Sequence, residues 1–96
     1  MALVLAFVAG FFGGNGLPYY IAGSTGESVN PSPFPQTPSV NVLVGFAAMV
    51  VGTGAGYFTD WARYPGWSEL AAAAGVLVVG LIHARVWRAN PWRRGG

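Results

Sequence analysis

The side chains in this sequence that could do chemistry are few and widely spaced. Its only carboxylates are Glu27, Asp60 and Glu69, and its only histidine is His83. Acid–base and nucleophilic catalysis need such groups within hydrogen-bonding reach of one another. The three carboxylates instead fall in polar segments or at the start of an apolar one, away from His83. We therefore expect a non-enzymatic protein with no catalytic site.

His83 is the single most interesting of these side chains. It lies near the end of an apolar run, and on a helix it shares a face with Gly80 and Trp87. A histidine in this setting can ligate a haem or a (bacterio)chlorophyll, with the glycine leaving room for the macrocycle. The alternative is an interfacial ring that reaches lipid headgroups, since Arg85 and Arg88 follow closely. We expect no cofactor and no metal, and keep His83 as the candidate ligand.

A second candidate site is a backbone element formed by Gly14, Asn15, Gly16 and Pro18. Glycines add backbone freedom and proline removes an N–H donor, so this stretch predicts a break in a helix. The freed amides and carbonyls of a broken membrane helix can bind an ion or an anionic group. The alternative interpretation is a simple helix end and turn.

The elements that must position these residues are membrane helices. Only 8% of the 96 residues are charged while 53% are hydrophobic, whereas soluble domains carry about 25% charged residues. A helix of about 20 apolar residues crosses the ~30 Å hydrocarbon layer. The sequence therefore predicts an all-α single transmembrane domain over residues 1–96, with three spans: about 2–22 (broken near 13–18), 40–58 and 69–88.

Polar segments separate and flank the spans. Residues 23–39 contain four of the seven prolines and predict a Pro/Ser-rich loop, and residues 89–96 form a basic tail. Ser39 or Asn41 is expected to cap the second helix, and Ser68 with Glu69 the start of the third. A cleaved signal peptide is the rival interpretation of the first span, but the basic n-region that it needs is missing.

Small residues recur at intervals of four on two of the predicted helices. They are Ala6, Gly10 and Gly14 on the first, and Ala48, Gly52 and Gly56 on the second. Such faces let membrane helices approach closely. We expect these two helices to pack on each other, or each on a partner subunit.

The arginines predict the orientation in the membrane. The chain has no lysine, and four of its five arginines, Arg85, Arg88, Arg93 and Arg94, lie near the C-terminus. Positive residues stay in the cytoplasm, which predicts a cytoplasmic C-terminus and an outside N-terminus. The basic run is too short to favour nucleic acid as a partner. The Ala-, Gly-, Val- and Arg-rich composition suggests a bacterial plasma (inner) membrane.

Two stretches resemble known membrane proteins. The element Gly14-Asn15-Gly16-Leu17-Pro18-Tyr19-Tyr20, followed later by Asn41-Val42, resembles an uncharacterised family of small bacterial integral membrane proteins with Gly-Asn-Gly-x-Pro-[His/Tyr]-[Phe/Tyr] after the first hydrophobic segment. Many members have histidine at the position of Tyr19, so a role for that histidine would not carry over. The resemblance implies a membrane location and no particular activity.

The second resemblance covers the segment from His83 to Trp92. It is similar to the end of the β-polypeptides of bacterial light-harvesting complexes, from which it departs at Arg85 and in its three-span context.

The sequence leaves three functions open. The leading prediction is an accessory or structural membrane protein that acts as a homo-oligomer or as a small subunit of a larger complex. The alternatives are a small oligomeric channel or transporter, and a pigment- or haem-associated subunit of a photosynthetic or respiratory complex.

Overall fold

The computed structural model of the protein describes residues 1–87, which form three α-helices. They are α1 (Ala2–Ser24), α2 (Pro38–Phe58) and α3 (Trp67–Val86). Each is long and apolar enough to cross a membrane, and residues 1–87 contain no strand. The prediction of an all-α protein with three membrane-length helices is confirmed. The predicted basic tail, together with Arg88, lies outside the described residues.

α2 begins earlier than predicted because of a threonine–proline pair. Thr37 is the N-cap, and its hydroxyl accepts a hydrogen bond of 3.2 Å from the backbone N–H of Val40. Pro38 suits the first helical position because its fixed φ is helical and the missing N–H would have no helical partner there. The prediction that Ser39 or Asn41 caps this helix is therefore wrong. The loop between α1 and α2 comprises residues 25–37.

α3 starts at a glycine with a left-handed backbone. Gly66 has a φ of +80°, which a side chain would disfavour, and its N–H donates to the carboxylate of Glu69 over 2.9 Å. Glu69 is thus the first-turn acid that the sequence predicts. Ser68 is not the cap, because it already lies inside the helix, where its hydroxyl is buried and has no partner among residues 1–87.

α1 is continuous through the segment where a break was predicted. Residues 13–18 are helical and Pro18 lies inside the helix, so this prediction is wrong. The proline ring normally clashes with the carbonyl four residues earlier, here that of Gly14. A proline inside a membrane helix is tolerated where neighbouring helices pack on it, and next to Pro18 the glycines Gly14 and Gly16 pack on α3 and α2.

α1 packs against both other helices, antiparallel to α2 and parallel to α3. Backbone approaches at glycines make these interfaces close: a Cβ on Gly45 of α2 would lie under 3 Å from backbone atoms of Gly16 and Tyr20. A Cβ on Gly75 of α3 would lie as close to the backbone of Phe7. Within residues 1–87, no Cα of α2 comes within 8 Å of a Cα of α3.

The surface of the bundle is apolar along its length and aromatic at one end. Large side chains such as Leu43, Leu70 and Leu77 are more than 60% exposed, which in water would be unfavourable but suits a lipid bilayer. The turn between α2 and α3 and the start of α3 carry exposed aromatic residues of the kind that lie among lipid headgroups: Trp61, Tyr64 and Trp67. The other end holds the loop 25–37 and the end of α3.

Candidate functional site

Asn15 and His83 form a hydrogen bond between two membrane-length helices. The Nε2 of His83 lies 2.8 Å from the Oδ1 of Asn15. An amide oxygen only accepts, so Nε2 is the donor and Nδ1 is left as an acceptor. Nδ1 is buried and has no hydrogen-bond partner among the described residues. The bond fixes the orientation of the imidazole against the middle of α1.

Two aromatic rings enclose this pair. Tyr19 lies four residues after Asn15, and Trp87 lies four residues after His83, so each follows its partner on the same helical face. The ring centroids of Tyr19 and His83 are 5.8 Å apart, those of His83 and Trp87 5.0 Å, and those of Tyr19 and Trp87 4.9 Å. Tyr19 is only 5% exposed. We call Asn15, Tyr19, His83 and Trp87 the histidine cluster.

The loop 25–37 and the first turn of α2 form a second polar group, which we call the loop network: Asn30, Ser32, Gln36 and Asn41. At its centre Asn30 is fully buried and donates from Nδ2 to Oδ1 of Asn41 over 2.7 Å. Its own Oδ1 accepts from the hydroxyl and backbone N–H of Ser32 and from the Gln36 amide. Its backbone N–H donates to Oε1 of Gln36 over 2.8 Å. These bonds fold the loop around one asparagine side chain.

Asn41 joins the loop network to α2. It lies in the first turn of that helix, is fully buried, and donates from Nδ2 to the backbone carbonyls of Glu27 and Val29 over 2.8 and 3.2 Å. An amide inside an otherwise apolar run is the sequence signal for such a residue, since a buried polar side chain needs partners. From the sequence, Asn41 is predicted as a helix cap and as part of the family resemblance, but not as a buried residue with partners in the loop.

The side chain of Tyr19 lies beside that of Ser32, so the histidine cluster adjoins the loop network. Together the two groups extend from α3 across α1 and the loop to α2. Sequence reasoning identified Asn15 and His83 separately but did not pair them. The loop residues Asn30, Ser32 and Gln36 were missed, because their partners are set by the folded loop and not by a sequence pattern.

The predicted small-residue faces lie against different neighbours. On α1, Ala6 is fully buried, a Cβ on Gly10 would overlap the backbone of Ala72, and Gly14 lies beside Val76 and Val79. This face therefore packs on α3.

The face on α2 is directed to α1. Ala48 is buried, a Cβ on Gly52 would lie under 3 Å from the backbone of Gly13, and Gly56 lies near Ala9. α1 and α2 do pack on each other, and the α1 residues nearest to the glycines of α2 are Ala9, Gly13, Gly16 and Tyr20.

The predicted backbone-binding element lies within the α1 helix. Asn15 is bonded to His83, and Gly16 packs so closely on Gly45 that an added Cβ would meet the carbonyl of Gly45. The backbone of Gly14, Asn15, Gly16 and Pro18 is thus arranged as a helix interior and not as two opposed helix ends. Its role as an ion or anion site stays a prediction.

Ligation of a haem or chlorophyll by His83 also stays a prediction. Axial ligation through Nε2 would require the bond to Asn15 to break, and Nδ1 is enclosed by the protein. Gly80 does have open space beside it, as the hypothesis requires. Among residues 1–87, no group of three or more His, Cys, Asp or Glu side chains is placed to hold a metal ion.

The arrangement as a whole joins separate segments. Its hydrogen bonds run between two helices, or between the loop and a helix, and its buried amides Asn30 and Asn41 have partners within the chain. Such buried polar networks specify one packing of the elements that they connect. As for known proteins, no family model, curated protein or solved structure matches this chain, so its resemblance to a family of small bacterial membrane proteins stays a hypothesis.

Proposed function

We propose that this chain is a non-enzymatic accessory or structural membrane protein that acts as a homo-oligomer or as a small subunit of a larger membrane complex. The proposed location is a bacterial plasma membrane with the arginine-rich C-terminus in the cytoplasm. The arginine distribution supports that orientation, since Arg63 alone lies near the opposite end. The partners of the chain are then lipid and other membrane helices.

The observation that carries the proposal is a groove on the outward face of α2. It has a volume of about 500 Å³ and is lined by Phe46, Met49, Val50, Thr53, Gly54 and Tyr57. Gly54 leaves this face open, because a Cβ added there meets nothing within 4 Å. Small residues between larger ones allow a second membrane helix to approach closely, and the groove lies apart from the glycines that pack α2 on α1.

The internal polar assembly supports a structural role rather than a catalytic one. Asn15, Asn30 and Asn41 are engaged with groups of the same chain. The first of these residues joins α1 to α3 and the other two join the loop to α2, so the bonds favour one arrangement of the chain before a partner binds. Preorganisation lowers the entropy that association must overcome.

Cysteine cross-linking in native membranes tests the groove. The natural chain has no cysteine, so Thr53→Cys introduces a single thiol into the groove. Ala73→Cys is the matched control, because it is exposed on α3 at a similar distance from the same end of the bundle. We expect Thr53→Cys to form a disulfide-linked or reagent-linked product with a second copy or another subunit, and Ala73→Cys to remain unlinked.

Filling the groove gives an independent test. Gly54→Leu should weaken the association measured by cross-linking or by gentle detergent extraction, while Gly80→Leu should leave it unchanged. A Cβ on either glycine meets nothing within 4 Å, so both substitutions begin from open space. A monomer without co-purifying partners in several mild detergents, with no cross-linking at Thr53→Cys, would contradict the proposal.

A channel or transporter built from several copies is the second candidate. The observation that favours it is the Asn15–His83 pair, because polar and ionisable side chains inside membrane spans often mark a transport path. Flux of protons, ions or small metabolites into proteoliposomes is the test. We expect His83→Ala to abolish such flux if this function is correct, and absence of flux in the unmodified protein rejects it.

A pigment- or haem-associated subunit is the third candidate from the sequence. Gly80 and the exposed side of α3 near His83 provide the only support that the described residues give it. An absorption spectrum of gently extracted complex decides the matter. A visible band that disappears in His83→Ala supports the role, and the absence of any visible band rejects it.

A further inference from the structure

The loop between α1 and α2 ends in an exposed apolar tip. Pro33, Phe34 and Pro35 are all exposed, Phe34 by 53%, while Asn30 and Ser32 beside them are buried. The sequence carries no charged residue between Glu27 and Asp60. A tip of this kind is unusual for a loop in water, since exposed apolar patches mark surfaces that meet a protein or a membrane.

The backbone of the loop has little need of water. Pro31, Pro33 and Pro35 have no N–H, which removes every second donor of this stretch. The N–H groups of Asn30, Ser32 and Phe34 donate to side chains of the same loop.

Three carbonyls of the same stretch have side-chain donors in the loop as well. The Gln36 amide donates to the carbonyls of Ser32 and Phe34, and the Asn30 amide to that of Pro35. Irregular backbone is tolerated at membrane depth only where its polar groups are satisfied by the protein or by a water-filled cavity. The loop network meets this condition at the N–H groups of Asn30, Ser32 and Phe34 and at the carbonyls of Ser32, Phe34 and Pro35.

The loop also folds back toward the membrane spans. The Ser32 side chain lies beside that of Tyr19, which is five residues before the end of α1, a distance of about 7.5 Å along the helix axis. Asn30 is bonded to Asn41, inside the first turn of α2. The loop network therefore lies at the depth of the last turns of the helices and not beyond them.

We propose that residues 30–36 lie in the interfacial layer of the bilayer, with Phe34 in contact with the upper acyl chains of phospholipids. The partner of the tip is lipid: prolines and phenylalanine face the boundary between glycerol and acyl chains, and the loop network faces the helices. In this position the tip sets the depth of this end of the bundle, as Trp61 and Trp67 do at the other end. The inference does not depend on the proposed function.

Single-cysteine labelling of the full chain in phosphatidylcholine–phosphatidylglycerol vesicles tests this. Phe34→Cys places a thiol at the tip, and Ser28→Cys is the matched control, because it is exposed in the same loop ahead of the network. A water-soluble methanethiosulfonate reagent should react with Phe34→Cys about tenfold more slowly, because the reactive thiolate forms poorly in an apolar layer. Pro35→Cys, also exposed, is a second probe of the tip should Phe34→Cys fold poorly.

Depth measurements complete the experiment. A bimane label at position 34 should be quenched more strongly by lipids with a nitroxide on the fifth acyl carbon than by aqueous iodide. At position 28, iodide should be the stronger quencher. Equal reagent rates at both positions, or preferential iodide quenching at position 34, would overturn the proposal. Protection of Phe34→Cys in native membranes but not in pure lipid vesicles would also overturn it, because a protein and not lipid would then cover the tip.

Discussion

At the scale of the single residue, Asn41 is the side chain that holds the loop on the helices. Its carboxamide accepts from Asn30 and donates to the carbonyls of Glu27 and Val29. All of these bonds are removed together if the amide is replaced by a hydrocarbon of similar volume. The groups left behind would be buried donors and acceptors without partners, which is the costly half of losing a hydrogen bond.

Asn41→Leu should therefore lower the free energy of unfolding by about 1–3 kcal/mol. Ser39→Leu is the control, because it makes a similar polar-to-apolar change at an exposed position of the same helical turn. Denaturant titration of the purified protein in mild detergent, followed by circular dichroism, measures both. Equal stability of the two variants would show that the Asn41 bonds do not hold the loop.

The Asn15–His83 bond makes a second prediction at this scale. Hydrogen bonds between membrane helices contribute about 0.6 kcal/mol on average and up to about 1.7. A double-mutant cycle of Asn15→Ala and His83→Ala should give a coupling of that size. Additive effects of the two substitutions would mean that the bond does not contribute to stability.

At the scale of the helices, glycines determine which helix faces can pack closely. On α2, Gly45 lies against the backbone of α1 while Gly54 faces open space, and on α3 Gly75 and Gly80 differ in the same way. α2 and α3 therefore each contain one closely packed glycine and one glycine in open space, which can be compared. The chemical change from glycine to alanine is identical in all four cases, so differences report the interface.

Gly45→Ala and Gly75→Ala should each destabilise the protein by about 1–3 kcal/mol, because the new methyl group forces backbones apart. Gly54→Ala and Gly80→Ala should be neutral or stabilising by up to about 1 kcal/mol, since alanine favours the helix. The same detergent-based unfolding assay applies. Similar losses at all four positions would indicate that α1 is not the neighbour of Gly45 and Gly75.

The helices themselves could be predicted from the sequence, but their contacts could not. Long uncharged runs bounded by polar segments are sufficient to predict three membrane helices. The continuity of α1 through Pro18 depends on neighbouring helices, which no local pattern encodes. The same holds for Asn30 and Gln36, whose partners come from a fold of the loop that composition predicts only as irregular. The start of α2 at Thr37-Pro38 was, by contrast, readable from local chemistry.

At the scale of the whole molecule, the three helices place the loop 25–37 and the turn between α2 and α3 at opposite ends. In a membrane these two segments must face opposite sides. Ser28→Cys and Ala62→Cys, both at exposed positions, are suitable reporters. With the proposed orientation, an impermeant maleimide should label Ala62→Cys in intact cells and Ser28→Cys only after permeabilisation.

Two other labelling patterns would lead to different conclusions about the topology. Labelling of both cysteines from the same side would contradict three membrane spans. The reverse pattern would leave the spans intact and contradict only the orientation inferred from the arginines. Arg63 is the residue to test next in that case, because it is the positive charge in the turn that would then face the cytoplasm.

Because α2 and α3 approach α1 but not each other, the order of synthesis matters for how the bundle assembles. When α2 leaves the ribosome, α1 is already available and an antiparallel hairpin of the two can close. The side of α1 that carries Gly10 and Gly14 then still faces lipid, and it stays so until α3 is made. The nascent hairpin thus spends the interval of α3 synthesis with an unfilled glycine surface, at which a premature encounter with another newly made chain would compete with correct folding.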